Sequence, residues 1–275
     1  MEIGRTVTFS HIEIERRHHT GLIWLNRPEK RNALSSDMWA DLPVAAATLS
    51  DDDDVRAIIV AARGPAFTVG IDLQMLATLA PEGDSEAARR MTVYKRIREL
   101  QGSFTALADS PKPVIAAIHG YCLGAGIDLI TACDIRLAAT DAVFGVRETV
   151  MGLVADVGTL QRLPNIVGPG HVAEMVYSGR DINADRALRI GLINDVYEDA
   201  DTTLRAATDL ADTIAANSPL VVQGAKRVLQ AGEGRTVAEG LDYVAVWNSA
   251  FLISDDLTEA MTAFTEKRRP EFKGK

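Results

Sequence analysis

The chain has 275 residues, 47% of them hydrophobic and 24% charged, with a formal net charge of -9. It is long enough to bury a sizeable core in one large domain, and too acidic for non-specific nucleic-acid binding, which needs a basic footprint. No apolar run approaches the roughly 18 residues that cross a bilayer, so neither nucleic acid nor membrane is expected as a partner.

The first residues carry early acids and no apolar stretch, unlike a signal peptide or a transit peptide. The last four, Phe272-Lys273-Gly274-Lys275, are not a peroxisomal address. Cys122 and Cys133 sit in apolar sequence without Cys-x-x-Cys zinc spacing. They read as buried, reduced thiols, which suits a cytoplasmic location.

Residues 7–15 are rich in β-branched side chains and alternate from Ile12 to Glu15, predicting one or two strands. Residues 21–25 predict a more buried strand, followed by a polar loop over 26–34. Ser36 and Asp37 offer an N-cap for a helix reaching about Ser50, with Pro43 inside it. The four acids at 51–54 read as a solvated loop before the apolar strand 56–61. Gly70 then permits a tight turn, Asp72 can cap the next helix, and the Ile71 N–H points out of that turn like an anion-binding helix start.

Residues 81–88 predict a surface loop, and about 88–108 a long helix ended by Ser110-Pro111-Lys112-Pro113. The design then repeats. An apolar strand over 114–118 turns through Gly120, Gly124 and Gly126 into a helix over 127–133. Strands are expected at 135–138, 142–144 and 192–196. Helices are expected at about 159–167, 170–178 and 183–191. From residue 201 only helical patterns remain, at 203–216, 219–230, 237–253 and 257–267. The chain therefore divides into an α/β core over 1–200 and a helical region over 201–275.

The chemistry concentrates in residues 120–163. Two glycine turns, at Gly70-Ile71 and Gly124-Ala125-Gly126, are able to aim two backbone N–H groups at one oxygen, as a developing enolate requires. The third glycine of a dinucleotide fingerprint is missing, because position 129 is Leu. Asp128, Glu148 and Asp156 lie in mostly apolar sequence. As caps or surface acids they are unremarkable, but clustered in a dry pocket their pKa values separate, which suits proton transfer at carbon. No Gly-x-Ser-x-Gly nucleophile elbow occurs, no histidine-acid set has metal-ligand spacing, and His119 reads as a structural turn residue.

These segments carry a resemblance. Leu25-Asn26-Arg27-Pro28-Glu29-Lys30-Arg31-Asn32-Ala33-Leu34, Ala66-Phe67 with Gly70-Ile71-Asp72-Leu73, residues 113–129, and Phe264-Thr265-Glu266-Lys267-Arg268 together resemble the crotonase (enoyl-CoA hydratase/isomerase) superfamily. The resemblance spans essentially the whole chain. It implies a spiral core of β-β-α turns, a C-terminal helical trimerisation region that completes the CoA site, and a homotrimer or a homohexamer of two trimers. It implies an acyl-CoA thioester as substrate, with no further cofactor and no metal. The thioester oxygen would be held by the N–H groups of Ile71 and Ala125, the latter standing where many members have Gly. Ala66, Gly70, Asp72, Leu73 and Gly124 would border the substrate, and Arg27, Lys30, Arg31 and Lys267 are candidate CoA contacts, each equally readable as a solvated cation. Met75, Leu76, Leu79 and Tyr94 would line the acyl channel or pack in the core.

Within the superfamily the acids choose the branch. Hydratases generally have Glu at the positions of Asp128 and Glu148 and Gly at that of Asp156. The set Asp128, Glu148, Asp156, with the sequence around it, resembles the Δ3,5-Δ2,4-dienoyl-CoA isomerases. These are isomerases that transpose C=C bonds, formally intramolecular oxidoreductases, and the resemblance places the chain in β-oxidation of unsaturated acyl chains. It implies that one carboxylate removes the C2 proton and a second carboxyl protonates C6, with Glu148 at C2, Asp156 at C6 and Asp128 tuning Glu148. The alternatives are a 2-enoyl-CoA hydratase or 3,2-enoyl-CoA isomerase with an idle Asp156, and, in another class, a non-catalytic acyl-CoA- or RNA-binding relative.

Overall fold

The computed structural model describes residues 9–78 and 82–275, with only the backbone at 76–78. The expected strand start at residue 7, and the channel positions Leu76 and Leu79, lie outside the described residues or side chains. A six-stranded sheet forms the frame. Strand β1 (Ile12–Arg17) pairs antiparallel with β2 (Thr20–Leu25), and β3 (Ala57–Ala62) runs parallel to β2. Strands β4 (Val114–Ile118), β6 (Ile135–Ala139) and β9 (Asp195–Tyr197) continue the parallel order. A second sheet joins β5 (Tyr121–Leu123), β7 (Val143–Gly145) and β8 (Ile182–Asn183).

The spiral follows from this pairing. Each turn lays a strand in the large sheet, a short strand in the small one, then a helix. Thus β4 and β5 lead into helix α4 (Ala125–Thr131), and β6 and β7 lead toward α5 (Thr159–Arg162). The preceding turn does the same after β3, where Thr68 makes an isolated parallel bridge to Cys122.

The central strands are apolar at every position because both faces are covered. Ile58, Val60, Val114 and Ala116 face the larger core beneath helices α1 (Ser36–Asp51) and α3 (Glu86–Ala108). Their alternating neighbours Ile59, Ala61, Ile115 and Ala117 meet Ala207 and Ala211 of α8 (Ala200–Ala215). Side chains alternate across a strand with period two, so the two cores are the two faces of one sheet. The last strand ends at Tyr197, close to the boundary expected at residue 200. By packing, however, α8 belongs to the sheet. The helices that stand beyond it are α9 (Pro219–Gly232), α10 (Val237–Phe251) and α11 (Asp255–Glu266).

Three boundaries moved for physical reasons. Ser35, not Ser36, caps α1 by accepting from the Met38 N–H. The helix expected over 159–167 is four residues of α5 followed by a 3₁₀ turn, Leu163–Asn165, because Pro164 brings no N–H. The strand expected from residue 192 begins at Asp195, and Leu192 and Ile193 are buried as core residues after α7 (Ala184–Arg189). Both cysteines are buried and free.

Candidate active site

Two turns meet at one place. After β3 the chain passes Thr68, whose hydroxyl donates to Asn32 O and accepts from the Gly70 N–H. Asn32 is fully buried in a left-handed conformation (φ 55°). Its amide accepts from the Arg27 N–H and donates to Arg63 O and Ala66 O. The polar loop thus clamps the turn at Gly70. Arg27 completes the clamp, donating to Asp72 Oδ2 at 2.6 Å and to Ala33 O at 2.9 Å. That pairing holds the Asp72 carboxyl below its ordinary range. Asp72 also accepts from the Gln74 N–H, capping the short helix α2 (Leu73–Thr78).

The bridge between Leu34 and residues 70–72 uses Gly70 O and the Asp72 N–H. The Ile71 N–H takes no part in it. On the facing turn, Gly124 has φ 52° and ψ -121°, a conformation open to glycine. It presents Ala125 as the first residue of α4, whose N–H has no acceptor within the helix. The turns touch: a Cβ built on Gly70 (φ +92°) would stand 2.8 Å from Leu123 O and 3.3 Å from Ala125 N. Gly70→Ala therefore forces the two donors apart. Loss of one oxyanion donor costs about 10²–10³-fold in turnover, so a drop of that order in kcat, with the fold retained by circular dichroism, is the expected result. A kcat within a few-fold of wild type would show that these turns do not hold the reacting oxygen.

Both turns line a cavity of about 1070 Å³. Its wall includes Val69, Ile71, Leu73, Trp39, Val93, Ile97, Leu100, Val150, Met151 and Leu153, so it is mostly apolar. Of the three acids singled out in the sequence, Glu148 and Asp156 line it, as do Asp72 and Glu82. Glu148 Oε1 would lie 3.5 Å from a Cβ on Gly124, directly beside the second turn. Glu148 Oε2 is buried without a partner among the described residues. Asp156 sits on the irregular loop before α5. Its backbone O accepts from Gln101 Nε2 of α3 at 2.6 Å, while its side chain is left exposed to the cavity.

Asp128 stands behind them. It is fully buried in the first turn of α4 and does not border the cavity. Its Oδ1 accepts from the Thr159 N–H at 2.5 Å, and its Oδ2 has no partner among the described residues. Burial first, and then the charge of Glu148, push its pKa up to about 7. Burial also raises Glu148, with Asp156 adding to the effect, and burial raises Asp156. Among the described residues no cation offsets these shifts. Arg147, next to Glu148, is engaged instead with Asp181 at 2.5 Å and with Gly179 O. Asp128 is thus poised between its two forms near neutral pH, and burial favours the protonated forms of Glu148 and Asp156, a setting suited to moving a proton on and off carbon.

The remaining expected site residues are distributed differently. Lys30, Gly70, Ile71, Asp72, Leu73, Gly124 and Ala125 border the cavity. Arg27 and Ala66 lie within the clamp beneath it. Arg31 lies over the Tyr121 ring at 5.9 Å, and Lys267 ends α11 in a left-handed turn. Met75 is buried and Tyr94 is exposed, and neither borders the cavity. His119 Nε2 donates to Gly64 O, 2.8 Å away, as a turn residue does. Sequence reasoning passed over Thr159 and Gln101. Thr159 carried a signal, since it follows Gly158 (φ +136°) as the first residue of a helix. Gln101 carried none.

The Enoyl-CoA hydratase/isomerase family profile matches residues 15–275. The chain belongs to the enoyl-CoA hydratase/isomerase family. Its relatives include mouse mitochondrial Delta(3,5)-Delta(2,4)-dienoyl-CoA isomerase, 44% identical over 91% of this chain and 77% of the mouse protein. The peroxisomal Delta(3,5)-Delta(2,4)-dienoyl-CoA isomerase of Arabidopsis thaliana is 41% identical over 96% of this chain and 98% of its own. Among solved structures, enoyl-CoA hydratase from Bacillus anthracis superposes with a TM-score of 0.87 at 30% identity, covering 97% of this chain and all of that one. The fold is thus the crotonase fold of the family, with mixed sheets and C-terminal helices. Those relatives are mitochondrial and peroxisomal by name, so they lend the cytoplasmic expectation no support. No helix among the described residues is long and apolar enough to cross a membrane.

Proposed function

We propose that this family member is an isomerase converting 3,5-dienoyl-CoA to 2,4-dienoyl-CoA. The observation that carries the reading is that Glu148 and Asp156 line one mostly apolar cavity together with the turns at Ile71 and Ala125. Two relatives bearing that activity in their names, at 41% and 44% identity, support it. The Ile71 and Ala125 N–H groups receive the thioester oxygen and stabilise negative charge as it develops there. Glu148, beside Gly124, removes the C2 proton. The charge spreads along the conjugated enolate to C6, and Asp156 delivers a proton there. The double bonds move from C3 and C5 to C2 and C4. One turnover leaves Glu148 protonated and Asp156 ionised, and solvent, which reaches Asp156, resets the pair. Asp128 contacts no substrate. Its buried charge acts on Glu148 across the protein interior.

A polar substrate end is served by Lys30 at the cavity edge. Lys267 contributes from the helical region over 201–275, whose roles in this reading are oligomerisation and completion of the CoA site. Helices α10 and α11 expose Val237, Leu241, Val246, Met261 and Phe264, the last 87% exposed. Apolar side chains so grouped are covered by other copies of the chain, giving a homotrimer or homohexamer. Light scattering behind a sizing column should return the mass of three or six chains, and Phe264→Asp should lower it. A monomeric mass for the unaltered chain would contradict this assignment.

Turnover in D₂O tests the proton path. The 2,4-dienoyl product should carry deuterium at C6. Deuterium at C4, or a hydroxyl added at C3, would contradict the reading.

A further inference from the structure

Asp156 differs from the other two acids in how it is held. Asp128 is fixed within a helix and Glu148 follows β7 closely, but Asp156 lies in a stretch, residues 149–156, that is exposed at every position except Ala155. No regular element holds that stretch between β7 and α5. A carboxyl on such a segment reaches C6 only if something outside the segment fixes it.

That something is a short relay of side chains on α3. The Arg98 guanidinium donates to Gln101 Oε1 at 2.7 Å. Gln101 Nε2 donates to Asp156 O at 2.6 Å. That carbonyl and the carboxyl belong to one residue, so fixing the backbone at 156 limits where the carboxyl can reach. The two contacts at Gln101 also settle its amide orientation. A guanidinium only donates, so it selects the amide oxygen, and the NH₂ is left facing the Asp156 carbonyl. Leu100, the neighbouring residue of α3, forms part of the cavity wall at the same level. The helix that shapes the apolar wall therefore also sets the depth of the third carboxyl.

We infer that Gln101, oriented by Arg98, is a positioning residue for Asp156 in the C6 proton transfer. The inference rests on the dienoyl-CoA reading and adds to it a residue that never touches substrate. A misplacement of about 1 Å at a reacting group costs up to about 100-fold. Gln101 acts on one of two proton transfers, so its loss should separate them.

The test compares the unaltered protein with Gln101→Leu, which keeps the volume and removes the donor. Two rates are followed in D₂O: formation of the 2,4-diene, and deuterium wash-in at C2 of recovered 3,5-dienoyl-CoA. Diene formation should fall about 10- to 100-fold with KM within about twofold, while wash-in at C2 continues at the wild-type rate. Arg98→Ala, at a residue that does not itself line the cavity, should give a smaller loss with the same split, and serves should Gln101→Leu fold poorly. Diene formation at the wild-type rate in Gln101→Leu, or wash-in falling in step with it, would overturn the inference. Absence of diene formation in the unaltered protein is a different result and would remove the reading on which the inference stands.

Discussion

Asp156→Asn lowers 2,4-diene formation by about 10²–10⁴-fold, the usual worth of a positioned general acid, and leaves C2 exchange running. The reason is a division of labour. Glu148 stands beside Gly124 and the oxygen-holding turn, whereas Asp156 enters the same cavity from the loop before α5. An amide at 156 preserves shape and hydrogen bonding but has no proton to give at C6. Substrate recovered from D₂O should therefore carry label at C2 while little conjugated product forms. A variant that retains its conjugation rate would show that the third acid is idle, as in a hydratase.

The second large effect is on stability, and its sign is opposite to that of most carboxylates. Asp128 is held near a pKa of about 7 by burial and by Glu148, against 3.8 for the free side chain. The native state therefore holds its proton more tightly than the unfolded chain does. Below pH 3.8 the group is protonated in both states and costs nothing. As pH rises from 3.8 to about 7 the unfolded chain ionises first, and native stability falls. Above pH 7 the full penalty is present. Asp128→Asn keeps an acceptor for the Thr159 N–H and removes the charge. Its stability advantage should grow between pH 4 and pH 8, by an amount on the order of 2–4 kcal/mol. Urea melts at those two pH values measure it. An advantage independent of pH would mean that Asp128 titrates in the native state as it does in the unfolded chain, which would contradict the raised value.

Much of this was legible before the fold was known, for identifiable reasons. Strands β3 and β4 are unbroken apolar runs because both sheet faces are covered, and such runs are visible in sequence. Gly70 and Gly124 were legible because positive φ at a strand-to-helix turn selects glycine. Asp128 and Asp156 stood out because their immediate neighbours are apolar, and Glu148 because it follows the apolar stretch 142–146. What escaped was everything that depends on distant contacts. Asp128 in isolation reads equally well as a cap, and its burial comes from α5 folding over α4. Arg27 reads as a free cation at a loop, and only the approach of Asp72, 45 residues away, makes it a clamp. Gln101 is an ordinary polar residue on a long helix until the loop at 156 is laid against it. The helix α8 looked like the start of a separate region because its pattern is helical. Its small residues Ala207 and Ala211 in fact allow close packing on the sheet.

The central claim is that this cavity moves a proton from C2 to C6. The most direct measurement is ultraviolet absorbance with 3,5-octadienoyl-CoA, followed at the band of the 2,4-dienoyl thioester, beside hydration of a 2-enoyl-CoA under the same conditions. Rapid conjugation with little hydration is the predicted result. Hydration without conjugation would contradict it, and would leave a hydratase in which Asp156 plays no chemical part.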